Sequence, residues 1–142
     1  MDIHSLDRFM EAQERMYAVA LEEIRSGRKR SHWMWYIFPQ LRGLGTSSMA
    51  HMYGIAGLDE ARAYLSHPVL SARLIEISEA LLMLKKKDPE DIFGYTDAMK
   101  LRSSMTLFAL VSEDASVFHK VLKRFYNGEM DERTLELVDW RK

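Results

Sequence analysis

The sequence contains no cysteine and little proline or glycine. The absence of cysteine from all 142 residues excludes a disulfide framework, a zinc site built on thiolates and a cysteine nucleophile. Three prolines and seven glycines leave few interruptions of regular structure. The 20 basic and 21 acidic side chains give a formal net charge of −1. Overall charge therefore does not attract this protein to nucleic acid.

Signals for membranes, metals and cofactors are also missing. The first residues lack the basic stretch followed by an apolar stretch that marks a secretory signal. The five histidines show no paired spacing that would hold zinc, and no Walker, GxGxxG or GxSxG motif occurs. We therefore expect a cytoplasmic protein with no membrane partner, no metal and no cofactor.

The composition favours helices over strands. Leucine, methionine and alanine total 39 residues, whereas valine, isoleucine and threonine, which favour strands, total 17. With 47% apolar and 29% charged residues, a chain of this length can bury an ordinary core. The sequence therefore predicts an all-α fold of five or six helices in a single domain that spans residues 1–142.

Helical spacing of apolar residues places these helices along the chain. We predict helices over residues 6–26, 59–66, 68–87, 96–112, 115–126 and 131–138, and a single turn over 89–93. Ser5 and Thr96 are the expected N-caps of the first and fourth helices, and Pro68 is expected at the first position of the third. The paired acidic residues Glu22–Glu23 and Asp59–Glu60 are expected on solvated helix faces.

Residues 31–57 fit neither a helical nor a strand period. This irregular segment is rich in glycine and holds the aromatic residues Trp33, Trp35, Tyr36, Phe38 and Tyr53. Long irregular segments inside compact domains are often functional. We expect the segment to pack over the helical bundle and to contribute to a binding site.

Two motifs carry a resemblance to a known family. The first is HWMW at 32–35, followed by FPQ at 38–40 and GLG at 43–45, and the second is SSMTLF at 103–108. Over nearly its whole length the chain resembles a family of small bacterial proteins of unknown function, sometimes mislabelled "calpastatin". The resemblance implies a compact, mostly helical protein and does not assign a reaction.

His32 and Asp97 are the candidate catalytic residues. Histidine is the usual general acid or base near neutral pH. Asp97, Lys100 and Ser104 follow i, i+3, i+7 spacing and so share a helix face, where Asp97 is either a second catalytic group or the group that orients Lys100. Two structural interpretations stay open: a histidine that orders the aromatic loop, and a solvated ion pair between Asp97 and Lys100.

Side chains that can hold an anion, donate hydrogen bonds or stack on a ring occur in three segments. The candidate ligand-binding residues are Gln13, Tyr17, Trp33, Trp35, Gln40, Arg42, Gly45, Ser47, Lys100, Ser103, Ser104 and Thr106. We expect residues 32–48 to close against the helix at 97–106, with Gln13 and Tyr17 as the floor. Core packing is the structural alternative for the rings. Gln13 interrupts the apolar stripe of the first helix, so its amide needs a partner, and a hydrogen bond to a loop backbone is the alternative to a ligand contact.

The sequence thus predicts a pocket for a small anionic ligand that carries a ring, such as a nucleotide or a sugar phosphate. Trp33 or Trp35 would stack on the ring, while Lys100, Arg42 and the backbone amides around Gly45 would hold the anion. The residues leave open whether the protein is an enzyme. A reaction, if there is one, would be a cofactor-independent hydrolysis or glycosyl cleavage.

A binding module for nucleic acid or protein is the alternative. It would use the basic run Arg25, Arg28, Lys29 and Arg30, with the nearby tryptophans stacking on single-stranded bases. The near-zero net charge opposes this reading, and cations also suit the C-terminal end of a helix. The sequence does not indicate the oligomeric state.

Overall fold

The structure, a computed structural model that describes residues 5–138, is helical. Within those residues it contains nine helices: α1 (Asp7–Arg25), α2 (Met34–Ile37), α3 (Ser48–Tyr53), α4 (Leu58–Ser66), α5 (Pro68–Leu82), α6 (Glu90–Phe93), α7 (Tyr95–Leu110), α8 (Val117–Tyr126) and α9 (Glu132–Val138). Over the same residues no strand forms, and extended pairing is limited to a parallel bridge between Leu41 and Ile55. The all-α prediction is confirmed.

Local signals set several of the helix ends. Pro68 occupies the first turn of α5, where a missing N–H costs no hydrogen bond, and the ring of His67 accepts bonds from the amides of Val69 and Leu70. Asn127 adopts the left-handed conformation that ends α8. These ends lie close to the predicted ones because the signals act within a few residues of the helix.

Both predicted serine and threonine N-caps are wrong. α1 begins after Leu6 without a side-chain cap, and the carbonyl of Ser5 instead accepts a hydrogen bond from Arg8. α7 begins directly after Gly94, whose φ of 79° turns the chain out of α6, so that Thr96 lies inside the first helical turn. Because Gly94 occupies the N-cap position of α7 and has no side chain, it cannot accept a capping hydrogen bond.

Residues 31–57 pack into the core as well as over the bundle. Their buried apolar side chains are Trp33, Met34, Tyr36, Ile37, Phe38, Leu41, Ala50 and Ile55. The amide of Arg42 donates to the carbonyl of Ile55, and the amide of Ile55 donates to the carbonyl of Gln40. A methyl group at Gly54 would lie 2.7 Å from Cα of Arg42, so the close approach of these chains requires glycine.

α7 lies at the centre of the molecule and packs against α4, α6, α8 and α9. Most of its C-terminal half is buried, including Leu101, Met105, Leu107 and Phe108. α1 and α5 pack on each other, and α5 also contacts α8. Because α7 is covered on several sides, the side chains of Ser103, Ser104 and Thr106 are buried, which the sequence pattern alone does not indicate. No helix within residues 5–138 is long and apolar enough to cross a membrane.

Candidate functional site

A cavity of about 420 Å³ lies between residues 40–45, the first half of α7 and the start of α9. Its lining residues are Gln40, Leu44, Gly45, Thr96, Met99, Lys100, Ser103, Asp131 and Arg133. Pockets for small molecules typically have volumes of about 300–1,000 Å³ and combine apolar walls with a few polar groups. This cavity therefore has the size and the make-up of a ligand pocket.

One face of α7 supplies four of the lining residues. Thr96, Met99, Lys100 and Ser103 follow i, i+3, i+4, i+7 spacing and therefore lie on the same side of the helix. The hydroxyl of Ser103 donates to the carbonyl of Met99, at 3.2 Å. The helix thus presents an ammonium group and two hydroxyl-bearing side chains to one cavity.

Lys100 is held in place by a carboxylate and by an aromatic ring. Its ammonium lies 3.3 Å from Oδ1 of Asp97 and 4.9 Å from the ring centroid of Trp35. The other carboxylate oxygen of Asp97 lies 2.8 Å from the ammonium of Lys29, whose side chain is almost fully buried. Asp97 therefore joins the chain around residues 29–35 to α7 and restrains the cation at the cavity.

The start of α9 is fixed against α7 by hydrogen bonds. The hydroxyl of Thr106 accepts from the amide of Asp131, at 2.9 Å, and the carboxylate of Asp131 caps α9 by accepting from the amide and hydroxyl of Thr134. Arg133 lies on the exposed first turn of α9 and makes no hydrogen bond or ion pair with any residue in the range 5–138. Its guanidinium is available to an anion.

Gly45 allows the cavity wall to pack closely against α3. A methyl group on this residue would lie 2.8 Å from Cβ of Ala50 and 3.7 Å from the side-chain nitrogen of Gln40. The first distance is too short for two carbon atoms, so a larger residue would displace α3 or the loop. Ser47 is the N-cap of α3, with its hydroxyl accepting from the amide of Ala50.

His32 and Trp35 are close in sequence to residues 40–45, but neither side chain lines the cavity. His32 is exposed, between Lys29 and Trp35, and its ring makes no hydrogen bond to the described part of the chain. Trp35 is partly buried, with the ammonium of Lys100 over its ring. Trp35 thus contacts Lys100 from outside the cavity lining, and His32 is not part of that lining.

Trp33 and Gln13 are enclosed by the fold. Trp33 is fully buried, and its indole N–H donates to Glu23 at 2.9 Å. Gln13 is 2% exposed and donates to the carbonyl of Tyr36 and the hydroxyl of Tyr64, at 2.8 and 3.0 Å. In this structure the ring of Trp33 presents no open face to a ligand, and the amide of Gln13 connects the backbone of α2 to α4.

Tyr17 lies between α1 and α5, outside the lining of the cavity. Its hydroxyl lies within hydrogen-bond distance of the carboxylate of Glu76 and of the carbonyl of Arg73, and these two acceptors share its single proton. Burial, together with the hydrogen bond to Glu76, raises the pKa of Tyr17 well above its usual range. Tyr17 is thus a neutral connecting group, and it does not form a floor under residues 40–45.

Arg42 lines a different cavity, of about 590 Å³, together with Asp59, Arg62 and neighbouring residues. Its guanidinium donates to the carbonyl of Gly54 at 3.1 Å. The structure therefore does not bring Arg42 and Lys100 to one anion. Ser104 is fully buried, and its hydroxyl has no hydrogen-bond partner among residues 5–138.

Glu23 and Glu60 correct the expectation that both acidic pairs face solvent. Glu23 is 8% exposed and accepts hydrogen bonds from two amides, a hydroxyl and the Trp33 indole. Burial alone would raise the pKa of Glu23, but these four bonds outweigh it and lower the pKa to about 2. Glu60 is also buried and pairs with Arg8 at 2.9 Å. In both cases another part of the chain covers the carboxylate: residues 30–33 cover Glu23, and Arg8 of α1 covers Glu60.

Five lining residues were not predicted: Leu44, Thr96, Met99, Asp131 and Arg133. Thr96 and Met99 share a helix face with Lys100, so the spacing already contained a signal for them. Asp131 and Arg133 are separated from Lys100 by α8 and the loops on either side of it, and no local pattern connects them to Lys100. The described residues contain no group of three or more histidine or acidic side chains that could hold a metal ion.

Comparison with known proteins gives a family and a fold. A conserved hypothetical protein from Mycobacterium tuberculosis, whose crystal structure is known at 1.38 Å, is 46% identical to this chain, with a TM-score of 0.94. The similarity covers 97% of this chain and 99% of that one. No match was found among the curated proteins. Because residues 3–138 match its sequence pattern, the chain belongs to the DUF1810 family of proteins of unknown function.

Proposed function

We propose that the cavity between residues 40–45, α7 and α9 binds a small anionic ligand that carries a ring, of the nucleotide or sugar-phosphate kind. The observation that carries the proposal is the convergence of Lys100 and Arg133, from two separate helices, on one cavity. Thr96 and Ser103 add hydroxyl groups that can bond to phosphate oxygens. Leu44 and Met99 provide apolar surface for a ring.

The charges of the lining favour an anion. Lys100 and Arg133 supply two cations, and Asp131 supplies one carboxylate, of which Oδ2 is engaged in capping α9. An anion bound here would gain charge-assisted hydrogen bonds from groups already in position. Asp97, which contacts Lys100 from outside the lining, serves as its positioning residue and not as a ligand contact.

Removal of either cation should weaken binding. We expect Lys100→Met and Arg133→Gln each to raise the Kd for the best-binding compound about tenfold to a hundredfold, because each removes one charge-assisted contact. The measurement is a thermal-shift screen of nucleotides, sugar phosphates and ADP-ribose, followed by calorimetric titration of the hits. A ligand present at about 100 times its Kd adds about 2.7 kcal/mol of stability, which such a screen detects.

The matched control is Arg62→Gln, which removes an exposed cation at the larger cavity. We expect this variant to bind like the unmodified chain. If Arg62→Gln abolishes binding while Lys100→Met does not, the anion site is the other cavity and the proposal is wrong. Failure of every anionic ring compound to shift the melting temperature would also overturn it.

His32 allows binding to be separated from chemistry. Since its side chain is exposed and does not line the cavity, we expect His32→Ala to leave the Kd within about twofold of the original. Chromatography of the incubated hits would detect hydrolysis or glycosyl cleavage, and loss of turnover in His32→Ala with unchanged Kd would assign it a catalytic role. A tenfold rise in Kd would place His32 in the ligand site instead.

The alternative, a nucleic-acid or protein-binding module, has less support from the geometry. Arg25, Arg28 and Arg30 are exposed, but Lys29 is engaged by Asp97. Trp33 is fully buried, so its ring is not open to stacking on a base. Titration with single-stranded oligonucleotides at low salt tests this function independently of the cavity.

A further inference from the structure

Gln40 is a buried amide that faces the cavity without a protein partner. It is 8% exposed and lines the cavity, and its side chain makes no hydrogen bond to any residue in the range 5–138. Its backbone is fixed, because its carbonyl accepts from the amide of Ile55 at 2.9 Å. Among the described residues, the buried side-chain atoms without a partner are those of Ser104 and Arg124, so the amide atoms of Gln40 are not fully enclosed and are accessible from the cavity that the residue lines. An amide held in this way, with no partner in that part of the chain, can bind a group inside the cavity.

The amide group restricts what that partner is. Either rotamer of the Gln40 side chain presents one carbonyl acceptor and an N–H donor side by side. The side chains of Lys100 and Arg133 can only donate hydrogen bonds. Gln40 is the lining residue whose amide offers an acceptor next to a donor, and neither is engaged by the described part of the chain. Its best partner is a group with a donor next to an acceptor, and the N6 and N7 atoms of adenine form such an edge.

We propose that Gln40 reads the base of an adenine nucleotide whose phosphate is held by Lys100 and Arg133. This inference rests on the proposed function, because it requires an anion at the two cations. It adds the identity of the ring and a residue that determines specificity. Leu44 and Met99 line the same cavity and provide apolar contact for the purine.

Three probes separate the base from the phosphate. We would titrate the full chain with AMP, with purine riboside 5′-monophosphate, which lacks the 6-amino donor, and with ribose 5-phosphate, which lacks the base. The expected order is AMP tightest, the purine compound about tenfold weaker, and ribose 5-phosphate weakest. In Gln40→Met, which keeps the side-chain length, AMP and the purine compound should bind within about twofold of each other.

The outcomes distinguish this inference from the proposed function. Equal binding of all three probes, weakened in Lys100→Met, would overturn the role of Gln40 and keep the anion site. Equal binding of AMP and the purine compound to the unmodified chain would also overturn it, and this comparison does not depend on a folded variant. Tighter binding of GMP, UMP or CMP than of AMP would exclude adenine as the recognised base. If no phosphate compound binds, both proposals fail.

Discussion

Glu23→Gln should lower the free energy of unfolding by about 3 kcal/mol. The carboxylate of Glu23 accepts hydrogen bonds from the amides of Arg30 and Ser31, from the Ser31 hydroxyl and from the indole of Trp33, at 2.6–3.0 Å. Oε1 of Glu23 accepts three of these bonds and Oε2 accepts the fourth, from the Ser31 hydroxyl. A glutamine can keep its oxygen at the Oε1 position and donate from its NH₂ group to the Ser31 hydroxyl, so the expected loss comes from removing the negative charge that strengthens all four bonds. Chemical denaturation at neutral pH, followed by tryptophan fluorescence, measures the loss.

The same group should make stability depend on pH. The pKa of Glu23 falls from its ordinary value of 4.5 to about 2 in the folded chain. Its contribution to stability is therefore complete above pH 4.5 and is lost as the pH falls through 2, a change of roughly 3 kcal/mol. Glu23→Gln should flatten this part of the stability curve.

Glu22→Gln is the matched control, since Glu22 is the exposed neighbour of Glu23 on α1. We expect it to change the free energy of unfolding by less than about 0.5 kcal/mol. Equal effects of the two substitutions, or parallel pH curves for Glu23→Gln and the unmodified chain, would show that the Glu23 network does not stabilise the fold.

Gln13→Leu should cost about 2–3 kcal/mol of stability, although it replaces a polar side chain with an apolar one in the core. The leucine leaves the carbonyl of Tyr36 and the hydroxyl of Tyr64 without the donor that each now has. Tyr64 is fully buried, so water cannot replace the lost hydrogen bond without entering the core.

A double-mutant cycle with Tyr64→Phe isolates the hydrogen bond between Gln13 and Tyr64. We expect the two substitutions to be less costly together than the sum of each alone, by about 1 kcal/mol, because the first already breaks the bond. Glu11→Leu, on the exposed side of α1, controls for adding an apolar side chain to the helix. Additive effects at positions 13 and 64 would contradict a direct interaction.

Gln13 and Glu23 show which buried polar side chains the sequence could predict and which it could not. Gln13 interrupts an apolar stripe, and this pattern indicated a buried amide with a partner, although the partner itself was open between a loop backbone and a ligand. Glu23 gave no such signal, because it sits beside Glu22 like one half of a solvated pair. Its burial follows from residues 28–33, which turn back over α1 after Gly27.

The candidate site likewise contains contacts that the sequence predicted and side-chain placements that it did not. Lys100 and Asp97 were predicted to share a helix face, and the 3.3 Å contact between them follows from helix geometry alone. Trp33 and Arg42 were expected beside them, but the fold turns Trp33 into the core and gives Arg42 to another cavity. Chain proximity does not determine which direction a side chain takes in an irregular segment.

The sequence by itself determined the helical class, most of the helix ends and the family, because apolar periodicity, terminal residues and motifs act locally along the chain. Only the tertiary structure decided which polar groups face a common cavity. Gln40, Lys100 and Arg133 lie on three segments separated by 60 and 33 positions, and their meeting depends on how α7 packs between the loop and α9. That packing buries apolar surface over the whole molecule, so no short stretch of sequence encodes it.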